Sequence, residues 1–441
     1  MTFTLPTKLF FAALGLVMIW LVGRELRKVP AKLHVLMFTA FLDMVGTLMV
    51  IPLLPFYASR LGGGGFMVGM LISAFSVAQL MSAPMWGRFS DKFGRRPTLM
   101  VAMAASAIAY VIFGFADSLF LLFLSRVVQG AGGGTVGVIQ AYVADATPPK
   151  ERARSLGWLS AATNLGVALG PVLGSLAVAW GKKPLGFSGH TVTVGHAAPG
   201  LLAAFLVSLN LIFAWIYLRE SREAHEGVQT KPKTSREAVT RVITHSGEPA
   251  ARLIWIYAIA MGAFTGVMGM LALFLSKRFG VTEENIGYMF MYIGVISVLT
   301  RVLLLGRLVD TLGEARLSRL GIVLLATGLA GIAFAWSLPT LAIAVALIPL
   351  GTAFTFPCVT AMLSHVISSR ERGLYMGVQQ TFGGTARVAF PILAGLAFDR
   401  LGMRWPFLFG AGLVLCTLLL GLGMEDHVRE KATSAPEAAT A

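Results

Sequence analysis

The chain has 441 residues, of which 56% are hydrophobic and only 13% are charged, and its mean hydropathy is +0.76. This composition excludes an ordinary soluble globular domain, because several apolar runs exceed the ~18 residues that indicate a membrane span. The net charge of +15 would suit a nucleic-acid-binding protein, but the placement of the basic residues between the apolar runs argues for membrane orientation instead.

The first 33 residues contain a short apolar run at about 9–23, followed at once by Arg24, Arg27, Lys28 and Lys32. A cleavable signal peptide has its positive end before the apolar region, so this order argues against one. We expect an additional N-terminal apolar helix that is retained as an anchor or lies in the membrane interface. A mis-assigned start codon is the alternative.

Twelve apolar runs follow and are numbered spans 1 to 12. They lie at residues 34–57, 67–86, 98–116, 119–143, 155–180, 198–218, 253–276, 285–305, 316–336, 338–363, 373–397 and 405–424. The polar stretch 219–252 separates the first six from the last six. We therefore predict an all-α membrane protein with six-helix bundles at 34–218 and 253–424, a cytoplasmic linker at 219–252 and a disordered tail at 425–441.

The loops between the spans differ in positive charge. Segments on the side of the linker carry 25 Lys and Arg residues, whereas the opposite loops carry 7. Cytoplasmic loops are enriched in these residues, so the linker and the C-terminus are expected inside.

The two halves of the chain share a repeated motif. The sequence Gly87-Arg-Phe-Ser-Asp-Lys-Phe-Gly94 returns 219 residues later as Gly306-Arg-Leu-Val-Asp-Thr-Leu-Gly313. Glu151, Arg152 and Pro171 are likewise matched at an offset of 220 by Glu371, Arg372 and Pro391. Two equivalent halves are the usual architecture of a transporter with a central site.

These motifs resemble those of a known family. The stretch GRFSDKFGRRP at 87–97 is similar to the loop between helices 2 and 3 of the major facilitator superfamily. Arg126-Val-Val-Gln-Gly130 resembles its fourth-helix motif, and Gly166-x3-Gly170-Pro171-x2-Gly174 resembles the fifth-helix motif of its drug/proton antiporters, including tetracycline/proton antiporters. The resemblance covers about 34–424 and implies a twelve-helix major facilitator fold of two pseudo-symmetric halves.

The loop at 87–97 is expected to be a cytoplasmic gate. Gly87 and Gly94 permit tight turning, and Arg95 and Arg96 favour the anionic inner surface of the membrane. The resemblance implies that Asp91 contacts the start of helix 11 near Gly373. The alternative is a basic turn that only sets topology. In the second copy, Arg307 and Asp310 are retained.

The glycines of span 5 share one helix face because they recur every four residues. Small residues at this spacing allow close helix packing, and Pro171 removes one helical hydrogen bond. The resemblance implies a tight interface between helices 5 and 8, and generic glycine packing is the alternative.

Charges inside the apolar runs are rare: Asp43 is the only acidic residue there, and apart from Arg316 and Arg319 at the very start of span 9, Arg126, Arg301 and Arg387 are the only basic ones. Such groups are costly in lipid and usually mark a pathway or a pair. Asp43 and Arg126 are predicted at similar depths, so they can pair as a proton switch or as a fixed structural ion pair. Arg301 is expected to snorkel to the interface, and Arg387 either contacts an anionic substrate or reaches outward.

Other polar residues in the spans are candidates to line a central cavity. They are Gln129, Gln140, Asn164, Asn210, Gln379 and Gln380. No catalytic or metal-binding cluster and no cofactor are predicted, which argues against an integral membrane enzyme.

The function that this combination favours is proton-coupled efflux of hydrophobic or amphiphilic small molecules. An uncoupled facilitator, or a lipid or metabolite transporter of the same superfamily, is the alternative. We expect a monomer in a plasma membrane, most simply a bacterial inner membrane, whose partners are lipid, protons and a small-molecule substrate but not nucleic acid.

Overall fold

A computed structural model describes residues 31–421 except 134–135, 149–150, 184, 188–189, 193, 221–234 and 369–370, together with residue 423 and five isolated positions before residue 25. The predicted N-terminal helix and the predicted tail fall almost wholly outside these residues. In the described part, eleven helical stretches are long and apolar enough to cross a membrane, and Trp405–Leu420 is a shorter apolar helix. These twelve stretches match the twelve predicted spans, which confirms the all-helical membrane fold.

The described chain forms two compact units. Unit 1 comprises residues up to 226 together with 269–298. The helices that lie wholly within this unit are α1 (Ala31–Val50), α2 (Leu54–Arg60), α3 (Gly65–Phe93), α4 (Arg95–Gly114), α5 (Leu119–Gly132), α6 (Val136–Ala146), α7 (Arg152–Gly181) and α8 (Ala198–Tyr217). A small hairpin of β1 (Leu185–Phe187) and β2 (His190–Val192) and a 3-10 turn (Gly195–Ala197) precede α8.

Unit 2 comprises residues 227–268 and 299–441. The remaining helices are α9 (Ser235–Thr244), α10 (Pro249–Phe279), α11 (Glu283–Leu299), α12 (Gly306–Leu312), α13 (Glu314–Phe334), α14 (Leu338–Val366), α15 (Arg372–Arg400) and α16 (Trp405–Leu420). A π-helical segment, Thr300–Leu305, joins α11 to α12. The last part of α10 and nearly all of α11 belong to unit 1, so the compact units do not divide at the linker alone. The predicted bundle boundaries at 218 and 253 stay a prediction.

In unit 1, α1 packs against both α7 and α8, while α4 packs against α5 and α8. A polar contact fixes the α1–α8 pair, because Nδ2 of buried Asn210 donates to the backbone oxygen of Thr39 at 3.1 Å. A buried amide that loses its partner costs ~1–3 kcal/mol, so this bond helps to hold the two helices in register.

In unit 2, α13 packs against α14 and α16. Leu317, Phe354 and Cys358 form a buried apolar cluster there, so Cys358 packs in the core of this unit, whereas Cys416 is exposed. The linker, which was predicted without an apolar run, contains α9. This helix packs on α15 and buries Ala238 and Val242.

The repeated motif is helical in both copies, contrary to the predicted tight turn at Gly87. α3 continues to Phe93 and α12 to Leu312, so Gly87 and Gly306 lie within helices. Only the final glycines turn the chain: Gly94 has φ 99° and Gly313 has φ 76°, values that favour glycine. Nothing in residues 87–93 stops a helix, because no proline occurs there and a single glycine costs only ~1 kcal/mol.

Candidate functional site

Asp43 lies on α1 one helical turn before Thr47, so the two side chains share a face of the helix. The hydroxyl of Thr47 lies 3.2 Å from the hydroxyl of Tyr110 on α4. Tyr110 in turn accepts a hydrogen bond from Nε2 of Gln129 on α5 at 2.8 Å. A chain of hydrogen bonds thus links α1, α4 and α5 at the level of Asp43.

Gly46 makes room for this tyrosine. A Cβ at this position would lie 3.3 Å from Cε2 of Tyr110 and 3.4 Å from its hydroxyl. Because these distances are tighter than ordinary van der Waals contact, a larger residue at Gly46 would push the phenol away from Thr47. The absence of a side chain at Gly46 therefore helps to keep Tyr110 in contact with Thr47.

Arg126 is almost completely buried on α5, with 2% of its surface exposed. Its guanidinium carbon lies 5.1 Å from the ring centroid of Phe113 on α4, a cation–π contact. Nε is 3.4 Å from the hydroxyl of Ser125, and Nη2 has no hydrogen-bond partner within the described residues. A buried cation that is only partly satisfied is costly, and such groups are usually retained for function.

The predicted ion pair between Asp43 and Arg126 is absent from the described residues. The reason is the direction of the arginine, whose guanidinium stacks on Phe113 at the end of α4. Tyr110, one turn earlier on α4, instead bridges α1 and α5 through Thr47 and Gln129. The two charges therefore belong to one cluster without contacting each other in this structure.

Two of the other predicted cavity residues in unit 1 bond within the protein, and one is exposed. Asn210 is buried between α8 and α1, and Asn164 donates to the backbone oxygen of Ser160 in its own helix at 2.6 Å. Gln140 is exposed on α6. Of the predicted set in this unit, only Gln129 joins the cluster near Asp43.

Unit 2 has a separate polar group on α10, α14 and α15. Gln379 is fully buried and its Oε1 accepts from Thr360 at 3.4 Å, whereas Gln380 is exposed and its Nε2 lies 3.5 Å from the hydroxyl of Tyr257. The ring of Tyr257 packs at Gly383, where a Cβ would lie 2.7 Å from Cε1. Arg387 is half-buried two turns further along α15.

Arg301 lies further from the end of its helical stretch than the predicted end of span 8 implied. The span continues to Leu312, which places Arg301 about 16 Å from that end at 1.5 Å per residue. It lies in the π-helical segment, next to Thr300. Such segments occur frequently at functional sites. The snorkelling of Arg301 to the interface stays a prediction.

The glycines of α7 pack against α1, not against span 8. A Cβ at Gly166 would lie 2.6 Å from the backbone oxygen of Phe41, and one at Gly170 would lie 2.7 Å from that of Val45. Gly174 approaches Met49 in the same way. These short distances require glycine because a backbone carbonyl cannot move aside cheaply.

The contact between α7 and α11 uses the neighbouring face of α7. Gly287 of α11 packs against the backbone of Pro171, and a Cβ at Gly294 would lie 2.7 Å from Cα of Ala168. The resemblance correctly implied a tight interface between spans 5 and 8. The glycines that form its closest contacts are on span 8, however, and Pro171 is the only member of the predicted set that takes part.

The motif at 87–97 forms a polar network within unit 1. Nη1 of Arg95 donates to Oδ1 of Asp91 at 2.9 Å, and its Nε donates to Oδ2 of Asp145 at 3.1 Å. Glu220 accepts from the backbone amides of Arg95 and Arg96 at 2.9 and 3.1 Å. A carboxylate at these free amides stabilises the start of α4.

The predicted contact of Asp91 with the start of α15 stays a prediction. The Asp91 side chain is 65% exposed, so it remains available to a further partner. In the second copy of the motif, Arg307 and Asp310 are both exposed.

Sequence reasoning did not select Tyr110 or Tyr257. Each is one of several aromatic residues inside its apolar run, where most aromatic residues only fill space between helices. The available signal was weak: Tyr110 and Tyr257 are two of only eight tyrosines in the chain, and a phenol buried among helices needs a hydrogen-bond partner.

Comparison with known proteins places the chain in a family. The model of the Major Facilitator Superfamily matches residues 36–304 and 253–440. Multidrug resistance protein 2 of Bacillus subtilis is 28% identical over 413 residues, which cover 91% of this chain and 96% of that protein. The class B tetracycline resistance protein of Escherichia coli is 24% identical over 390 residues, with 86% and 92% covered.

A solved structure has the same fold. The crystal structure of the human organic anion transporter MFSD10 (TETRAN) aligns with a TM-score of 0.65 at 24% identity, covering 89% of this chain and all of that one. Because the family model spans most of the chain and the relatives are transporters, the protein is an integral membrane transporter and not an enzyme. The chain belongs to the major facilitator superfamily.

Proposed function

We propose that the protein is a proton-coupled exporter of hydrophobic or amphiphilic small molecules that works by alternating access. The observation that carries this proposal is Asp43, the only acidic residue in the twelve apolar spans. A carrier that couples export to protons through an acid needs a carboxyl group at membrane depth, and this chain has one candidate.

The surroundings of Asp43 support a role in proton coupling. Tyr110 connects the helix that carries Asp43 to the helix that carries Arg126, through Thr47 and Gln129. Because Arg126 is not paired with Asp43 and has an unpartnered Nη2, it is free to respond to a charge on Asp43 or on a substrate. We propose that export and proton uptake compete through this cluster.

The names of two relatives support the substrate class. One is called a multidrug resistance protein and another a tetracycline resistance protein, at 28% and 24% identity. We extend drug export to this chain as a proposal, with a bacterial inner membrane as its site and a cytoplasmic C-terminus.

The test is substrate flux in proteoliposomes with an imposed pH gradient, with tetracycline and a lipophilic cationic dye as probes. We expect Asp43→Asn to abolish gradient-driven flux while probe binding survives, since the amide resembles the protonated acid in shape and hydrogen bonding. Asp117→Asn is the matched control, because Asp117 is exposed between spans 3 and 4 and should leave flux unchanged. Undiminished flux in Asp43→Asn would support the uncoupled facilitator instead.

A second candidate is transport of an organic anion. The observation that favours it is the excess of cations, since Arg126, Arg301 and Arg387 accompany a single acid in the spans. An anionic dye tested in the same proteoliposomes distinguishes the two substrate classes. Flux of this dye that survives Asp43→Asn but is lost in Arg387→Gln would favour the anion.

A further inference from the structure

Glu283, the first residue of α11, lies at the centre of a charged cluster at the predicted external end of unit 1. Its Oε1 forms an ion pair with Arg60 at the end of α2. Arg60 in turn lies over the ring of Tyr57, with its guanidinium carbon 5.2 Å from the centroid. The neighbouring Glu284 pairs with Lys182, directly after α7, at 2.7 Å.

The backbone of α11 is held at the same place. The hydroxyl of Ser175 on α7 donates to the backbone oxygen of Glu283 at 2.7 Å and accepts from the amide of Gly287 at 2.9 Å. The start of span 8 is thus fixed to spans 1 and 5 by side-chain and backbone contacts. Opening of this end during alternating access requires that these contacts break.

His196 is the titratable group of this cluster. It lies in the 3-10 turn before α8, and its Nδ1 is 3.8 Å from Oε2 of Glu283. That oxygen is buried and has no hydrogen-bond partner within the described residues. The Tyr57 hydroxyl donates to the backbone oxygen of His196, which fixes the turn beside the carboxylate.

The charges around His196 differ in whether they would leave when this end opens. Burial against α4, α7 and α8 opposes protonation of His196 most, and Arg60 and Lys182 also oppose it. These helices and the two cations, at the outer ends of spans 1 and 5, belong to the same predicted six-helix half as the histidine. Glu283 favours protonation and lies on span 8 of the other half. Opening therefore removes the attraction from Glu283, while Arg60 and Lys182 remain, and Glu284 moves with Glu283.

The sign of the pH effect follows from this difference. A proton on His196 interacts more favourably with the closed end, where Glu283 is present, than with the open end, so acid favours closure. Burial of the turn against α4, α7 and α8 is the largest cause that lowers the pKa of His196, followed by Arg60 and Lys182. Because all of these remain in both states, the transition should lie below the ordinary histidine value of about 6.5.

We propose that His196 and Glu283 form a second protonation site, separate from Asp43, at which an external proton strengthens closure of the external end. A contact path joins it to the first site, because Tyr57 stacks on Phe113 at 4.7 Å and Phe113 lies under Arg126. The proposal rests on alternating access but not on coupling through Asp43.

Double electron–electron resonance between spin labels at Lys183 and Arg278 tests this in a cysteine-free background. Both residues are exposed near the cluster. When the pH is lowered from about 7.5 to about 5, we expect the closed, short-distance population to increase roughly two- to fivefold relative to the open one. A factor of this size is what a partly exposed ion pair contributes. No substrate or proton gradient is needed, so the result does not depend on the proposed coupling.

His196→Asn should remove the pH dependence, and so should Glu283→Gln, which keeps the shape of the side chain and leaves the backbone bonds to Ser175 possible. His365→Asn is the matched control, because Nε2 of His365 lies 3.6 Å from Glu314 at the opposite, predicted inner end; it should leave the dependence intact. A wild type without pH dependence, or a dependence that survives in either cluster variant, would overturn the proposal.

Discussion

At the scale of single residues, the cluster around Asp43 depends on a tyrosine that contacts it only indirectly. Tyr110 is completely buried, and its hydroxyl is the shared partner of Thr47 and Gln129. Gln129 is itself buried, and its Oε1 lacks a partner within the described residues. Within the described residues, the Gln129 amide therefore depends on Tyr110 for its hydrogen bond. The phenol both positions Gln129 and links the helices of the two candidate coupling residues.

Tyr110→Phe should weaken this cluster without disturbing ring packing. The change leaves the Gln129 amide buried without its partner, which costs ~1–3 kcal/mol. We expect a lower melting temperature of the purified protein and reduced gradient-driven flux. Tyr217→Phe, at a tyrosine that is 58% exposed, is the control and should change neither. An unaltered melting temperature in Tyr110→Phe would show that Gln129 finds another partner.

At the scale of elements, α7 packs against two different helices with two of its faces. Gly166, Gly170 and Gly174 lie against the backbone of α1, while Ala168, Pro171 and Ser175 contact α11. Residues three or four apart share a face of a helix, and a shift of one or two positions rotates the contact by 100–200°. The first face belongs to the core of unit 1, whereas the second holds the part of α11 that alternating access would release.

Gly170→Ala tests the first face. The added methyl group would lie 2.7 Å from the backbone oxygen of Val45, and forcing α1 and α7 apart should cost ~1–3 kcal/mol. We expect a melting temperature lower by several degrees, since 1 kcal/mol corresponds to about 2–4 °C in a domain of roughly 150–250 residues.

The matched control is Gly157→Ala on the same helix, where nothing lies within 4 Å of the added atom. Alanine is favoured over glycine in a helix by up to ~1 kcal/mol, so this variant should be as stable as the wild type or more stable. Equal effects of the two substitutions would mean that Gly170 is not needed for close packing.

At the scale of the whole molecule, the duplicated halves and the unequal distribution of basic residues define the predicted orientation. The repeat places equivalent helical extensions at the ends of α3 and α12, on the same predicted side as the linker and its helix α9. Lys182, Lys183 and the Glu283 cluster are predicted to lie on the opposite side. The external protonation site proposed above is external only if this orientation is correct.

Cysteine labelling in intact cells tests the orientation. We expect a membrane-impermeant maleimide to label an engineered cysteine at Lys183 but not one at Ser246, both of which are exposed positions. The physical reason is the bias of 25 to 7 basic residues toward the side of the linker. Both positions should react after permeabilisation, and labelling of Ser246 alone in intact cells would reverse the topology.

The sequence by itself determined the class of protein, the twelve spans, the duplication and the short set of charges at membrane depth. These properties depend on hydrophobicity and spacing along the chain, because a bilayer requires about 20 apolar residues per helix wherever that helix lies. The turn at Gly94 was predicted for a similar local reason, because glycine tolerates a positive φ such as the 99° found there.

Tertiary structure alone decided which of these residues meet. Arg126 stacks on Phe113 and does not pair with Asp43, the α7 glycines face α1, and the helices continue through the repeated motif to Phe93 and Leu312. Such outcomes depend on the rotation of each helix about its axis and on side-chain direction. The sequence of an apolar span reveals neither the rotation of the helix nor the direction of its side chains. The face toward lipid and the face toward protein are both apolar, so their hydrophobicity differs little.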